Sequence, residues 1–407
     1  MFDNTLISNE RSYVYNAQNQ LIESYDGYLN KTAYEYNPLG AVSRIVLPDG
    51  AVTNYRYNYQ GLLEEVEDDC GIVYEAAYDK AGRLVKERNR ADSERSYEYD
   101  AAGRVIKVLC GGEAVEAYSY GANGRSVIVK DGNGNDYLYK YDGFGRLVNE
   151  RNRGGLEQNY YYDEEGQLKS QTNFDSSTTS IKYSSDRTVR TVSYSDGSQN
   201  RFVYDSMGNI IEAENACGKT CYQYDRGGLL IYQKDVTTGE EVRFEHDEAG
   251  NRTRLFGSNR ETKYTYGKNN EVKEIFDNKQ RISIKLEYDK NGREVLRKFG
   301  NGTKEETLYD KSGRVTVKMQ KGSRGELLWG EGYVYGAGGK RTADVDNAGR
   351  VTLYEYNKRG QLSAVYYPYT QEHSDNLKAE AEENGLPTAS DIGENKYLPS
   401  EIKAGLV

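Results

Sequence analysis

Along most of this chain tyrosine alternates with other residues as Tyr-x-Tyr, and the second tyrosine returns every 21 residues, at Tyr15, Tyr36, Tyr57, Tyr78, Tyr99, Tyr120, Tyr141, Tyr162, Tyr183 and Tyr204. Alternation of this kind is the pattern of a half-buried strand, and a fixed short period means one small unit copied many times. After Tyr204 the spacing wobbles through Tyr224, His246, Tyr266, Tyr288 and Tyr309, takes a five-residue insertion, and resumes at Tyr335 and Tyr356. These 17 anchors define an array over residues 11–369, with a lead-in at 1–10 and a non-repeating tail at 370–407.

Counting from the anchor as zero, the residue two before it is Tyr in 11 copies, and the residue after it is Asp in nine and Asn in four. Position plus four is Gly in 14 copies, among them Gly82, Gly103, Gly145, Gly208, Gly292 and Gly313, and Asn in two more. Asp or Asn at the first corner, followed by a residue suited to positive φ, predicts a three-residue hairpin loop with a G1 bulge. Gly, and less readily Asn, takes that conformation without a steric penalty. The one exception is Arg187, which predicts a strained or rearranged turn.

Closing the hairpin this way sets position plus six opposite the anchor, and that column is Leu, Val or Ile in 13 copies. Tyrosine and aliphatic side chains therefore share one face. Plus one then meets plus five, often Arg, giving Asp/Arg pairs worth only tenths of a kcal/mol each. Each copy ends in a second turn signal, such as Pro48-Asp49-Gly50 or Asn301-Gly302. Two strands and two turns per copy predict an all-β fold of tandem hairpins, 34 strands in 17 copies. A flat sheet of that size would run on the order of 160 Å, and accumulated twist makes it curl into a spiralling wall.

Mean hydropathy is low, at −0.88. Thirty-nine tyrosines in register nevertheless supply ring area to bury while their hydroxyls find partners. Net charge is −10 with acids and bases interspersed, so there is no electrostatic footprint for nucleic acid. No stretch has the length of an apolar membrane-spanning helix, and the first residues lack the pattern of a signal peptide.

Candidate chemistry is sparse. His246 stands in the anchor column and His373 in the tail, so neither a metal site nor a catalytic triad is expected, and no cofactor is called for. Gly218-Lys219-Thr220 ends like a phosphate loop but lacks the upstream glycine, having Ala213 in its place. Asp131 to Asp142 loosely resembles a calcium loop, with Asp136 where glycine is required. Cys70 and Cys110 read as incidental; Cys217 and Cys221 read as straddling a hairpin turn, either as free thiols or as a cross-strand disulfide. Lys321 to Gly330 holds the insertion and the single tryptophan, Trp329, and reads as a longer hairpin or a contact patch. In the tail, Ser374 can cap a helix over 375–384 that covers the last strand edge, and an uncovered edge favours self-association.

The unit Tyr97-Glu98-Tyr99-Asp100-Ala101-Ala102-Gly103-Arg104-Val105, repeated as Tyr139 to Leu147, resembles the YD repeat of RHS proteins and teneurins. The resemblance implies a noncatalytic, shell-forming β-structure of a bacterial secreted or contact-delivered system, at the cell surface or outside it. In that family the spiralling shell encloses a toxic C-terminal polypeptide. The D-P-x-G-L closing sequence of RHS cores is not found in this chain, so the resemblance extends to shell wall, with an enclosed polypeptide or neighbouring repeats as partners. Glycan-binding repeats of about 20 residues are the alternative. They favour Trp and leave pockets between hairpins, whereas a shell turns its anchors against neighbouring copies.

Overall fold

The computed structural model describes residues 6–8, 11–90, 93–258, 260–336, 339–357 and 359–367. It contains 35 strands, numbered in chain order. From β2 (Arg11–Tyr15) to β35 (Leu362–Tyr366) they are the two strands expected of each of 17 copies, and β1 (Leu6–Ser8) is a further strand within the lead-in. Each pairs antiparallel with the next in a single meandering sheet. The expected all-β hairpin array is what forms, and no helix occurs among the described residues.

The local cause is the turn after each anchor. In the copy of Tyr99, Asp100 N–H donates to the Arg104 carbonyl at 2.9 Å and Gly103 N–H to the Asp100 carbonyl at 3.0 Å. Asp100 Oδ1 also accepts from the N–H groups of Ala102 and Arg104, each at 2.9 Å, so one carboxylate satisfies the amides inside the loop. The register then slips by one residue, pairing Tyr99 with Val105 across a bulge. Position plus four has positive φ in all 17 copies, including Asn19 (60°), Asn270 (64°) and Arg187 (59°).

Two copies depart from this pattern. Tyr120 pairs with Val127 and Tyr183 with Arg190, with no bulge, because each loop is one residue longer. The loops close through Gly121 N–H to the Ser126 carbonyl and Ser184 N–H to the Val189 carbonyl, both 2.9 Å. Arg187 is thus both left-handed and in a rearranged turn.

The sheet curls until its second circuit meets its first. The loop between β3 (Leu21–Tyr25) and β4 (Lys31–Tyr36) lies against the loop between β26 (Arg260–Tyr266) and β27 (Val272–Asp277). The same offset of 23 strands recurs for the Asp49, Asp68 and Glu113 loops against the Asn291, Ser312 and Arg359 loops. At about 4.8 Å per strand, 23 strands give a circumference on the order of 110 Å and a coil roughly 35 Å across. The array is an open spiral of about one and a half circuits. Its wall is a single layer, so most side chains are half-buried, and the closest packing is the cluster Val334, Ala343, Val345 and Val351 over β32 (Leu327–Tyr335) to β34 (Val351–Tyr356).

Candidate functional site: the wall face and the seam between circuits

Among the described residues, twelve of the 17 anchors use their hydroxyl for one task. Tyr99 donates to the Leu84 carbonyl at 2.6 Å, Tyr120 to Val105 at 2.7 Å and Tyr162 to Leu147 at 2.8 Å. The acceptor is the plus-six carbonyl of the preceding copy, beside its bulge, where the sheet ladder is interrupted. Tyr36, Tyr57, Tyr78, Tyr224, Tyr266, Tyr288, Tyr309, Tyr335 and Tyr356 repeat the contact. After the two lengthened loops the backbone takes over, with Tyr141 N–H donating to Arg125 and Tyr204 N–H to Thr188, each at 2.8 Å.

The arginines at plus five do more than the expected pairing with Asp. Arg104 bonds Asp100 through Nε at 2.8 Å and lays its guanidinium over the Tyr120 ring, 4.3 Å from the centroid. Arg83 over Tyr99, Arg146 over Tyr162, Arg293 over Tyr309 and Arg314 over Tyr335 repeat this, so Asp, Arg and the next anchor form a chain across copies. The sequence shows the Asp and Arg columns; the stacking onto the following copy needed the sheet geometry. Asp79 and Asp100 are held below the usual carboxylate range, first by the backbone N–H of Arg83 and Arg104 and then by the guanidinium bonds. On the same face as the anchors, burial and then the hydrogen bond to Glu150 push the Tyr160 phenol up to about 12.

The seam is polar and specific. Gly27 N–H donates to Asn269 Oδ1 and Asn269 Nδ2 to Asp26 Oδ2, both 2.7 Å, while the Tyr28 hydroxyl donates to Glu271 at 2.6 Å. One copy on, Asn291 Nδ2 donates to Asp49 Oδ2 at 2.6 Å and Arg293 lies 3.2 Å from the same oxygen. In the next, Arg90 donates to Asp68 at 2.9 Å and to Ser312 Oγ at 2.8 Å, and Ser312 donates to Asp68 at 2.6 Å. Arg359 Nε closes on Glu113 at 2.7 Å. Asn269, Asn291, Ser312 and Arg359 all stand at plus three, the tip of the Asp-x-x-Gly loop, and it is this tip that touches the earlier circuit. Sequence reading missed the role, because tips vary freely elsewhere and only the 23-strand offset shows which copies face one another.

The remaining candidates separate. Asp131 and Asp142 sit in loops at opposite ends of β14 (Asp136–Tyr141), each accepting its own loop amides, so they do not converge on a cation. No metal-ligating group of three His, Cys, Asp or Glu residues occurs among the described residues. Gly218 to Thr220 begin β22 (Gly218–Tyr224), an extended strand, not a phosphate loop. Of the two readings for Cys217 and Cys221, free thiols is the one that holds: Cys217 lies in the turn between Asn215 and Gly218, Cys221 lies opposite Glu212, and no disulfide joins them. His246 occupies an anchor site and lines an open cleft of about 570 Å³ with Phe244, Arg252, Tyr264 and Tyr266. Lys321 to Gly330 is the longer hairpin, with Leu327, Leu328 and Trp329 exposed. The tail helix and its cap over the last edge lie outside the described residues.

Comparison with known proteins agrees with this geometry. A family model described as RHS repeat matches residues 78–115, and one described as teneurin YD-shell matches residues 137–214. No curated protein matches. Among solved structures, the pore of the Photorhabdus luminescens Tc holotoxin with a mutated TccC3 is similar at a TM-score of 0.57 and 12% identity, over 91% of this chain and 23% of that one. A TcdB2-TccC3 structure is similar at 0.51 and 14%, over 91% of this chain and 26% of that one. This chain thus spans about a quarter of the length of the structures it matches. The likeness shows a shared fold, and over residues 78–115 and 137–214 the repeated unit matches the RHS repeat and the teneurin YD-shell.

Proposed function

We propose that this chain is a noncatalytic wall segment of a YD-type shell, part of a bacterial secreted or contact-delivered system, and that the space inside the coil holds a polypeptide. The observation that carries this reading is the seam. The sheet closes on itself through side chains specific to copies 1–5 and 13–17, so the curled wall has a defined radius. Much of the wall face is engaged by its own anchors: twelve hydroxyls bond the neighbouring copy and five arginines cover anchor rings, groups that are thereby committed to holding the wall together. The RHS-repeat and YD-shell matches and the likeness to Tc toxin structures support a toxin-associated role.

The test is to co-express the chain with the polypeptide encoded immediately downstream and to follow protease digestion of that polypeptide. Protection that is lost when the seam is opened supports enclosure. Digestion at the rate of the free polypeptide rejects it.

A further inference from the structure

We propose that the two free rims of the spiral fit one another, so that a second copy of this chain continues the coil head to tail. The seam follows a rule: the first loop of a copy rests on the second loop of the copy twelve earlier, as copies 13, 14, 15 and 17 rest on 1, 2, 3 and 5. The Asp-x-x-Gly loops of copies 1–12 and the second loops of copies 6–17 extend the same two rims, and among the described residues no seam hydrogen bond reaches them. Continuing the rule into a second chain sets its copy 1 on copy 6 of the first, its copy 2 on copy 7, and so on.

That register matches side chains along the rim. The free Asp-x-x-Gly tips carry the two most exposed large apolar side chains among the described residues, Tyr59 at 86% and Phe144 at 87%, and Leu39 and Met207 on other tips are also exposed. Leu39 falls on the loop of exposed Leu156, and Tyr59 on the loop of Phe174. Met207 falls on the long hairpin with Leu327 and Trp329, so three of the four apolar tips meet loops that carry an apolar side chain.

Charges agree as well. Exposed Lys80 falls on the loop of Asp196, and exposed Glu164 and Glu165 fall on the loop of Lys279 and Arg281. A shift by one copy sets Tyr59 against Asp196 and takes both glutamates away from Lys279 and Arg281. In the continuing register β2 of the second copy follows β35, so the three-residue β1 gives way. The contact is heterologous and does not close, which predicts open filaments and not a capped dimer.

Sedimentation velocity of the full chain over a range of concentrations tests this, and reversible oligomers that lengthen with concentration are expected. Glu164→Lys with Glu165→Lys should weaken association roughly fivefold or more, as should Leu39→Ser with Tyr59→Ser. Adding Lys279→Glu and Arg281→Glu to the glutamate reversals should restore it, which also shows that the reversed chain folds. Removing residues 1–8 should strengthen it. A chain that stays monomeric, an association indifferent to both pairs of substitutions, or a failure of the fourfold variant to recover would each overturn the proposal.

Discussion

The Tyr99 hydroxyl donates to the carbonyl oxygen of Leu84, fifteen residues earlier, at 2.6 Å. This bond ties one copy to the preceding one at the point where the bulge leaves a ladder carbonyl unpaired. Tyr99→Phe removes the donor and keeps the ring, so it should cost about 1 kcal/mol, with Tyr99→Ala costing more through lost packing. Amide exchange should quicken around Leu84 and Tyr99 while distant copies keep their protection. Unchanged exchange there would mean that the hydroxyl contributes nothing.

The left-handed loop position gives a second expectation. Gly145 has φ 79°, and a Cβ built on it meets nothing within 4 Å, so the effect of a substitution is conformational and not a clash. Gly145→Val should cost more than about 1 kcal/mol, since a β-branched residue tolerates positive φ least. Arg187→Gly should stabilise by about 0.5–1 kcal/mol. Both effects are read by local amide exchange in the full chain, because an array of this length need not unfold in one step. A harmless Gly145→Val would contradict the turn assignment.

At the seam, a Cβ on Gly27 would lie 2.6 Å from the Lys268 carbonyl oxygen, across the two circuits. Gly27→Ala should therefore wedge the circuits apart and quicken exchange in the loop of Asn269 and Glu271, although that loop is more than two hundred residues away in sequence. Arg90→Ala should do the same for the loop of Ser312 by leaving the half-buried Asp68 without its cation, at a cost of about 3 kcal/mol. Either variant with an undisturbed seam would mean that the circuits are held by something else.

Acid should attack the loops and the seam together. Asp68 is held below the usual range: burial alone would raise it, and the bonds from Arg90 and Ser312 outweigh that. Asp79 and Asp100 are lowered as well. A carboxyl whose folded pKa is depressed contributes stability above its unfolded value near 3.8, and the contribution is lost as pH falls through the lower folded value. Stability should thus be flat down to about pH 5 and fall steeply below about pH 4. With Asp68→Asn the fall should be shallower; an unchanged profile would remove Asp68 from the account.

The repeat, the loop geometry and the shared Tyr and Leu face were legible in the residues, even at Arg187, because each is decided within a few positions of the chain. Stacking of Arg104 on Tyr120 was not, since it depends on how one hairpin leans on the next. Nor was the meeting of Asp26 with Asn269, which depends on a small twist summed over 23 strands. The reading of Cys217 and Cys221 as straddling a turn failed for a nearer reason: Cys217 lies in the turn itself, between Asn215 and Gly218, and Cys221 faces Glu212.

An offset of 23 is odd, and in an antiparallel meander an odd offset seats a loop on a loop where an even one would seat it over a gap. Gain or loss of a whole copy changes the strand count by two, preserving parity while moving every later loop onto a different partner. The seam therefore works as a length gauge. Excising one 21-residue copy between Tyr141 and Tyr266 would leave every hairpin intact and yet present Asn269 to a loop other than that of Asp26, so an error in copy number anywhere in the first circuit is reported at every contact of the second.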